Sequence, residues 1–163
     1  MLENTLCGTE QNHWHELDWQ YSHPFIVLWH IHADDIDHYE HVNNIAYLKQ
    51  TETLAWAHSQ QLGLSFEEYA KLDRAMVIQH HALNYHTPAL IDDTLACATW
   101  IVKCDGRLRL QRRFQFINIE SKSTVFSAST DFVCVKLSTG QPAKMPSAFI
   151  DAYCDHNIEE LSQ

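Results

Sequence analysis

The chain has 163 residues, of which 45% are hydrophobic and 20% charged, as is typical of one soluble globular domain with its own core. Its formal net charge of −10 argues against general nucleic-acid binding, because that requires a basic surface. No apolar run approaches the about 20 residues that cross a bilayer, and residues 1–5 lack the features of a secretory signal. We therefore expect no membrane association and a cytoplasmic location.

The first half of the chain predicts one strand followed by one long helix. Residues 1–22 are polar and are expected to form an N-terminal arm with at most a short helix. Residues 25–32 alternate in hydrophobicity and are β-branched or aromatic, which predicts a strand. Residues 45–62 have apolar or small side chains with a period near 3.6, which predicts a helix with one buried stripe. The predicted stripe consists of Ile45, Leu48, Thr51, Ala55, His58 and Leu62, with Leu54 and Ala57 beside them.

The second half of the chain predicts mainly strands. Gly63 is placed to end the long helix, and a capping-box pattern opens a short helix over 65–71. The later predicted elements are strands at 75–85, 94–103, 107–119 and 124–137 and a short helix at 147–153. This order predicts an α+β fold in which an antiparallel sheet covers the long helix with one face. We place the domain at 23–155, followed by a C-terminal tail at 156–163.

The cysteines predict reduced thiols. Their number is odd, they are scattered, and no CxxC pair occurs. Two of them lie inside apolar strand-like runs, which indicates core positions. The five are Cys7, Cys97, Cys104, Cys134 and Cys154, of which Cys97 and Cys134 are the two in the apolar runs.

The most informative segment is 35–44, Asp-Ile-Asp-His-Tyr-Glu-His-Val-Asn-Asn, between the first strand and the long helix. A helix start has backbone N–H groups without intrahelical partners and the positive end of a dipole. A carboxylate beside such donors can act as a base or nucleophile next to an oxyanion site, which makes Asp37 a candidate catalytic residue. The alternative is a turn or cap role for Asp37, although Asn43 or Asn44 is better placed to cap. His41 has the alternative role of a partly buried structural histidine.

Other site classes find little support in the sequence. The segment is rich in His and Asp, but its spacing matches no zinc signature, so we expect no native metal. No GxSxG elbow occurs, which disfavours a serine α/β-hydrolase. With four glycines and no GxGxxG or Walker motif, a glycine-rich phosphate loop is nearly excluded.

Nearly half of the basic residues fall in one stretch. This stretch holds five of the eleven Lys and Arg residues, namely Lys103, Arg107, Arg109, Arg112 and Arg113. In an acidic protein such a cluster indicates either a local anion site or the solvated outer face of a strand. The residues alone leave both interpretations open.

The 35–52 segment resembles the hotdog-fold thioesterases of the 4-hydroxybenzoyl-CoA thioesterase-like group. The resemblance rests on Asp35-x-Asp37-x-x-x-His41-Val42-Asn43-Asn44, then Ala46-Tyr47-Leu48 and Glu52, and on Leu83-Asn84-Tyr85-x-x-Pro88-Ala89 with Asp92-Asp93. It covers roughly 25–150 and implies a hotdog fold, an antiparallel sheet wrapped around a helix over 43–62. It also implies a homodimer or homotetramer whose active site lies at the dimer interface.

The resemblance further implies an acyl-CoA thioesterase, which releases a free acid and coenzyme A and needs no cofactor beyond the coenzyme A of its substrate. Asp37 corresponds to the catalytic carboxylate, acting as base or nucleophile. The backbone N–H of Asn44 corresponds to the donor that polarises the thioester carbonyl. His41 would hydrogen-bond near the carbonyl or orient Asp37, and Glu52 corresponds to a secondary acid on the helix.

Arg107 and Arg109 correspond to contacts with the phosphates of coenzyme A, which favours coenzyme A over an acyl carrier protein. The sequence departs from the family at Tyr39, where small residues are usual, and at Glu40, where Gly is usual. Both departures affect the turn or narrow the acyl pocket, and the sequence leaves the acyl group open.

Two other functions remain as alternatives. A hotdog hydratase or dehydratase would carry a different His and acid arrangement or a His-Phe-Pro-Gly loop, and neither is present. A non-catalytic acyl-binding module would share the fold, since fold alone does not determine function. The joint presence of Asp37, His41 and Asn44 argues against that module.

Overall fold

One antiparallel sheet and one long helix form the framework of residues 13–158, which are the residues that the computed structural model describes. The strands are β1 (Phe25–His30), β2 (Ala75–Tyr85), β3 (Thr94–Cys104), β4 (Arg109–Asn118) and β5 (Thr124–Val135). The helices are α1 (Asn44–Gln61), α2 (Phe66–Lys71) and α3 (Ser147–Tyr153), with 3-10 turns at His13–Glu16 and Ala33–Asp35. The α+β prediction is confirmed, and the predicted elements differ from these only at their ends. Residues 1–12 of the predicted arm and 159–163 of the predicted tail lie outside the described residues.

The strand order in the sheet is β1-β3-β4-β5-β2, and all neighbouring strands are antiparallel. The first two strands of the chain therefore form the two edges, and α1 connects one edge to the other across a face of the sheet. Tyr47 and Leu54 of α1 are buried in the same apolar cluster as Phe114, Phe116 and Phe126 of the sheet. The ring of Tyr47 stacks on that of Phe126 with a centroid distance of 5.0 Å.

The ends of α1 are set by local sequence signals. The side chain of Asn43 caps the start by accepting a hydrogen bond from the Ile45 N–H at 2.8 Å. At the other end Gly63 adopts a φ of +86°, its N–H donates to the Gln60 carbonyl, and the Leu64 N–H donates to the Ser59 carbonyl. These two bonds form a Schellman motif, which satisfies carbonyls that the helix itself leaves free.

The buried stripe of α1 differs from the predicted one. Thr51, Leu54 and His58 are buried, as predicted, but the buried set also includes Tyr47 and Ser59. The prediction was wrong for two apolar residues near the start of the helix, since Ile45 is 73% exposed and Leu48 is 37% exposed. Both side chains face a cavity, described below, which explains why apolar residues at core-like spacing are not buried.

The prediction of reduced thiols was wrong for two cysteines, because Cys104 at the end of β3 is disulfide-bonded to Cys154 just after α3. Fifty positions separate them in the chain, so no short motif announces the pair. Cys97 and Cys134 are free thiols in the core, and burial raises the pKa of both. Cys7 lies outside the described residues.

None of the helices in residues 13–158 has the length and apolar character that would span a membrane.

Candidate active site

A tight turn fixes Asp37 just before α1. Ile36 and Val42 form an isolated antiparallel bridge, and between them the Asp37 N–H donates to the His41 carbonyl at 3.0 Å. The Asp37 side chain is half-buried, and its Oδ1 accepts a hydrogen bond from the Tyr39 N–H at 2.9 Å. No hydrogen bond to the other carboxylate oxygen is found within residues 13–158. Asp37 therefore fills the turn role that the sequence left open, and it still offers one carboxylate oxygen for chemistry.

Glu40 occupies the strained position of this turn. Its φ is +63°, and its N–H donates to the Asp37 carbonyl at 3.0 Å. A residue with a Cβ pays about 1–2 kcal/mol in this left-handed region, whereas glycine does not. This conformation explains why glycine is usual at the Glu40 position in the thioesterase family that the sequence resembles.

Replacing Glu40 by glycine is therefore expected to stabilise the protein. We predict that Glu40→Gly raises the free energy of unfolding by about 1 kcal/mol, because the relief of strain exceeds the added flexibility of the unfolded chain. The measurement is urea denaturation of the wild type and the variant. The matched control is Glu120→Gly, an exposed turn residue without a positive φ, which should lose about 0.5 kcal/mol. A Glu40→Gly variant less stable than the wild type would contradict this account.

The start of α1 lies directly after the turn and carries a free donor. The Asn43 N–H donates to the Asp35 carbonyl and the Ala46 N–H donates to the Asn43 carbonyl, while the Ile45 N–H is held by the Asn43 side chain. The Asn44 N–H has no hydrogen-bond acceptor in the described part of the chain. It is the first N–H of the helix, where the dipole favours negative charge on a ligand.

A cavity of about 660 Å³ lies between α1 and strands β2, β4 and β5, and its lining starts at Ile45, the residue after this donor. Its wall on the helix side runs from Ile45 to Ser59. At 1.5 Å per residue this wall is about 20 Å long. Most of the lining is apolar, with Leu48 and Ala55 on the helix and Phe132 on the sheet. The length of this wall and its mostly apolar lining suit a long apolar group.

Four of the six predicted site residues lie in the Asp37 turn or on α1, and the other two, Arg107 and Arg109, lie elsewhere. Asp37, His41 and Asn44 lie together in the turn and at the helix start, and Glu52 lines the cavity about two helical turns further on. The His41 side chain is exposed, in contrast to the partly buried alternative. Their catalytic roles stay predictions.

Arg107 and Arg109 lie at the opposite end of the sheet. Arg109 pairs with Val133, close to where β2 begins, whereas the Asp37 turn is tied to the far end of β2 by the Val42 N–H, which donates to the Ala89 carbonyl at 2.9 Å. At about 3.3 Å per residue the two ends of β2 are about 30 Å apart. One chain alone therefore does not bring the two arginines to the turn.

The basic stretch that contains them divides further. Arg112 is buried and faces the cavity, while Arg113 is half-buried on the opposite face of β4, as alternation along a strand requires. Lys103, Arg107 and Arg109 are exposed. The five residues therefore do not form one site, and neither sequence interpretation describes them all.

A buried polar network around Arg112 was not recognised in the sequence. Arg112 Nη1 donates to His58 Nδ1 at 2.8 Å, and Nη2 donates to Ser59 Oγ at 3.0 Å. Ser59 Oγ is 2.9 Å from the Tyr153 hydroxyl, which in turn hydrogen-bonds the Tyr69 hydroxyl. Burial, together with the nearby Arg112 charge, lowers the pKa of His58 to about 3, so His58 is neutral and accepts from Arg112. The partners come from α1, α2, β4 and α3, which is why no local pattern predicted the network.

This network predicts loss of stability in mild acid. Because the pKa of His58 is about 3 in the folded protein and near 6.5 when unfolded, the unfolded chain takes up the proton first as the pH falls. The His58 contribution to the free energy of unfolding should therefore drop by about 2 kcal/mol between pH 7 and pH 5. The measurement compares urea denaturation at both pH values for the wild type and His58→Asn, whose amide oxygen can accept from Arg112 without titrating. Equal pH dependence in the two proteins would contradict this prediction.

Residues 31–153 match the model of a family described as the thioesterase-like superfamily. The chain belongs to this superfamily. The long-chain acyl-CoA thioesterase FadM of Escherichia coli (strain K12) is 30% identical to this thioesterase-like protein over 105 residues, which cover 64% of this chain and 77% of FadM. The predicted thioesterase family is thus confirmed.

Solved structures agree on the fold. A 1,4-dihydroxy-2-naphthoyl-CoA thioesterase from Synechocystis superposes with a TM-score of 0.73 at 21% identity, covering 82% of this chain and 97% of that one. A Staphylococcus aureus protein in complex with CoA superposes with a TM-score of 0.76 at 15% identity, covering 86% and 89%. The predicted hotdog fold is confirmed by these neighbours.

Within residues 13–158 no group of three or more His, Cys, Asp or Glu side chains is arranged to hold a metal ion. The predicted location and cofactor requirement stay predictions.

Proposed function

We propose that this protein hydrolyses long-chain acyl-CoA thioesters to a free acid and coenzyme A. One observation carries the proposal: the lining of the apolar cavity starts at Ile45, one residue after the free Asn44 N–H, and the turn that holds Asp37 directly precedes this donor in the chain. The length of about 20 Å along the helix suits a long acyl chain. Two relatives support the substrate class, since FadM is named a long-chain acyl-CoA thioesterase and the S. aureus neighbour was solved with CoA.

The proposed chemistry assigns one role to each group at the helix start. Asp37 takes a proton from a water molecule, whose oxygen attacks the thioester carbonyl carbon. The oxyanion that forms accepts a hydrogen bond from the Asn44 N–H and is stabilised by the helix dipole. The carbon–sulfur bond then breaks, the acid leaves, and the thiolate of coenzyme A takes up a proton. Direct attack by Asp37 on the carbonyl carbon is the alternative, with water then hydrolysing the mixed anhydride.

His41 and Glu52 have supporting positions in this proposal. The exposed imidazole of His41 belongs to the same turn as Asp37, so it can hydrogen-bond the substrate near the carbonyl. Glu52 lines the cavity beyond the first turns of α1 and can orient the attacking water. Neither side chain makes a hydrogen bond to Asp37 in the described residues, so we assign catalysis of the proton transfer to Asp37.

We further propose that the complete site needs a second copy of the chain. Within residues 13–158 the edge strand β2 pairs only with β5, and its Val77, Ile78 and Tyr85 are each more than 40% exposed. Such a long apolar edge favours pairing with another strand. Antiparallel pairing of β2 with its copy would place the start of one β2 beside the end of the other. The end of the second copy that carries Arg107 and Arg109 would then lie near this copy's Asp37 turn, where both arginines can bind the coenzyme A phosphates.

Subunit complementation tests this arrangement. We predict a solution mass of at least twice 18.9 kDa, and very low activity for both Asp37→Asn and the double variant Arg107→Ala/Arg109→Ala at low substrate concentration. In a mixed dimer, one site combines the intact Asp37 of one copy with the intact arginines of the other. Co-refolding the two variants should therefore restore a measurable part of the wild-type kcat/KM. A monomeric protein, or a mixture no more active than its components, would contradict the prediction.

The function itself is tested by a thiol-release screen of the wild type with short-chain, medium-chain, long-chain and aromatic acyl-CoA. We expect the highest kcat/KM with long-chain substrates. Release of thiol from none of them, with binding intact by calorimetry, would favour the non-catalytic acyl-binding module. Hydration of crotonyl-CoA, followed spectrophotometrically, would favour the hydratase alternative.

A further inference from the structure

Toward the end of α1 that is far from Asn44, the cavity is lined by four polar side chains that have no role in the chemistry above. These are Ser59, Tyr69, Arg112 and Tyr153, which we call the donor cluster. All four line the cavity, and each is at most 5% exposed. The rest of the lining is mostly apolar, and burying polar groups is costly unless they are satisfied.

The positive charge of the donor cluster is not balanced by a carboxylate from residues 13–158. Arg112 has no carboxylate within ion-pair distance in residues 13–158, and its hydrogen-bond acceptors are the neutral His58 ring and the Ser59 hydroxyl. The Tyr153 ring lies against the guanidinium, with 5.6 Å between the guanidinium carbon and the ring centroid. Buried guanidinium groups are normally paired with an anion, since the loss of hydration otherwise exceeds what neutral partners return.

The donor cluster also has more hydroxyl protons than acceptors. Ser59, Tyr69 and Tyr153 supply three hydroxyl protons, but only two hydrogen bonds join them, one between Ser59 and Tyr153 and one between Tyr69 and Tyr153. Each of these bonds uses one proton, whichever way it runs. One hydroxyl proton is therefore left without an acceptor in the described residues, and all three hydroxyl-bearing side chains line the cavity. The cluster thus lacks an acceptor that carries negative charge.

We propose that the donor cluster binds a carboxylate at the far end of the acyl chain, so that the preferred substrates are long-chain ω-carboxyacyl-CoA thioesters. This inference rests on the proposed function, because it places the thioester at Asn44. A carboxylate only accepts hydrogen bonds and pairs with a guanidinium in a planar, two-bond geometry. An extended chain advances about 1.1–1.2 Å per bond, so a wall of about 20 Å accommodates about 17 bonds between the two ends.

Three substrates of equal chain length test the inference on the wild-type protein. They are the coenzyme A thioester of hexadecanoic acid, the mono-thioester of hexadecanedioic acid, and the thioester of the ω-hydroxy acid. We expect kcat/KM to be at least about tenfold higher for the carboxylated chain than for the unsubstituted chain, because a charge-assisted hydrogen bond contributes at least that factor. The hydroxylated chain should give an intermediate kcat/KM. Equal or better turnover of the unsubstituted chain would overturn the proposal without any variant.

A pair of neighbouring arginines provides the matched variants. Arg112→Gln removes the charge that faces the cavity, and Arg113→Gln removes the adjacent charge on the opposite face of β4. The tenfold preference should disappear in Arg112→Gln and persist in Arg113→Gln. A preference that survives in a folded Arg112→Gln protein would overturn the proposal. If circular dichroism shows that Arg112→Gln does not fold, the wild-type comparison of the three substrates decides.

Failure of the inference can be told apart from failure of the proposed function by measuring binding as well. Equal turnover of the three thioesters rejects the donor cluster as a carboxylate site and leaves thioester hydrolysis intact. Absence of thiol release, together with at least tenfold tighter calorimetric binding of the carboxylated thioester, rejects hydrolysis and supports the carboxylate site. Equal binding without release rejects both.

Discussion

Asp37→Asn is expected to reduce kcat for the best long-chain acyl-CoA about a thousandfold, because the amide cannot take a proton from water or attack the carbonyl. The loss should appear in kcat more than in KM, since the amide keeps the size of the carboxylate. The Asn side-chain oxygen can still accept from the Tyr39 N–H, so the turn should be preserved. Thiol release under saturating substrate, with urea denaturation to check folding, gives both quantities.

The matched control for this variant is Asp34→Asn, which removes one exposed carboxylate from the same loop. It carries the same change of charge and should leave kcat within about twofold of the wild type, because water and salt screen the charge of an exposed side chain. An Asp37→Asn protein with wild-type kcat would show that another group activates the water, and Glu52 would then be the first residue to test.

The second large effect is expected from filling the cavity. Ala55 lies on α1 about midway along the cavity wall, so Ala55→Phe places a ring where the acyl chain would run. We predict that kcat/KM for long-chain acyl-CoA falls at least about a hundredfold, because a blocked acyl chain would displace the thioester from the reacting groups. The kcat/KM for a short-chain acyl-CoA should change little. The ratio of the two substrates is the informative quantity, because a general loss of folding would lower both.

Ala70→Phe serves as the control for bulk and hydrophobicity. Ala70 is an exposed residue of α2 that does not line the cavity, so its replacement should leave the chain-length preference unchanged. If Ala55→Phe lowers long-chain and short-chain turnover by the same factor in a folded protein, the acyl chain does not occupy this cavity. The donor cluster would then also lose its proposed ligand.

Local signals in the sequence predicted most of the fold. The Asn43 cap, the Gly63 stop and the Ser65 cap of α2 each act through hydrogen bonds with residues no more than a few positions away. The alternation of apolar and polar side chains along a strand depends only on that strand, so β2 to β5 were predicted with errors only at their ends. The family resemblance added that the sheet wraps around the long helix, whereas the strand order came only from the structure.

The sequence did not predict features that depend on distant parts of the chain. Ile45 and Leu48 have the spacing of core residues, and only the position of the sheet decides that they face a cavity. The contact of Arg112 with His58 joins residues 54 positions apart, and the disulfide of Cys104 joins residues 50 apart. The residues alone also left open where Arg112 lies, because its burial depends on His58 and Ser59 of α1 and on Tyr153 of α3.

The turn at Asp37 combines a feature that local sequence determines with one that depends on distant residues. Its position just before a capped helix follows from local sequence and was predicted. The proposed role of the free Asn44 N–H depends instead on the nearby cavity, which is formed with strands that are distant in the chain. Whether Arg107 and Arg109 belong to the same site depends on a second chain, which no single sequence pattern contains.

The most direct measurement is a crystal structure of Asp37→Asn with an intact long-chain acyl-CoA. The account predicts that the thioester carbonyl oxygen lies within hydrogen-bond distance of the Asn44 N–H, about 2.7–3.2 Å, with the acyl chain between α1 and the sheet. A thioester bound elsewhere, or an acyl chain outside this cavity, would contradict the proposed site.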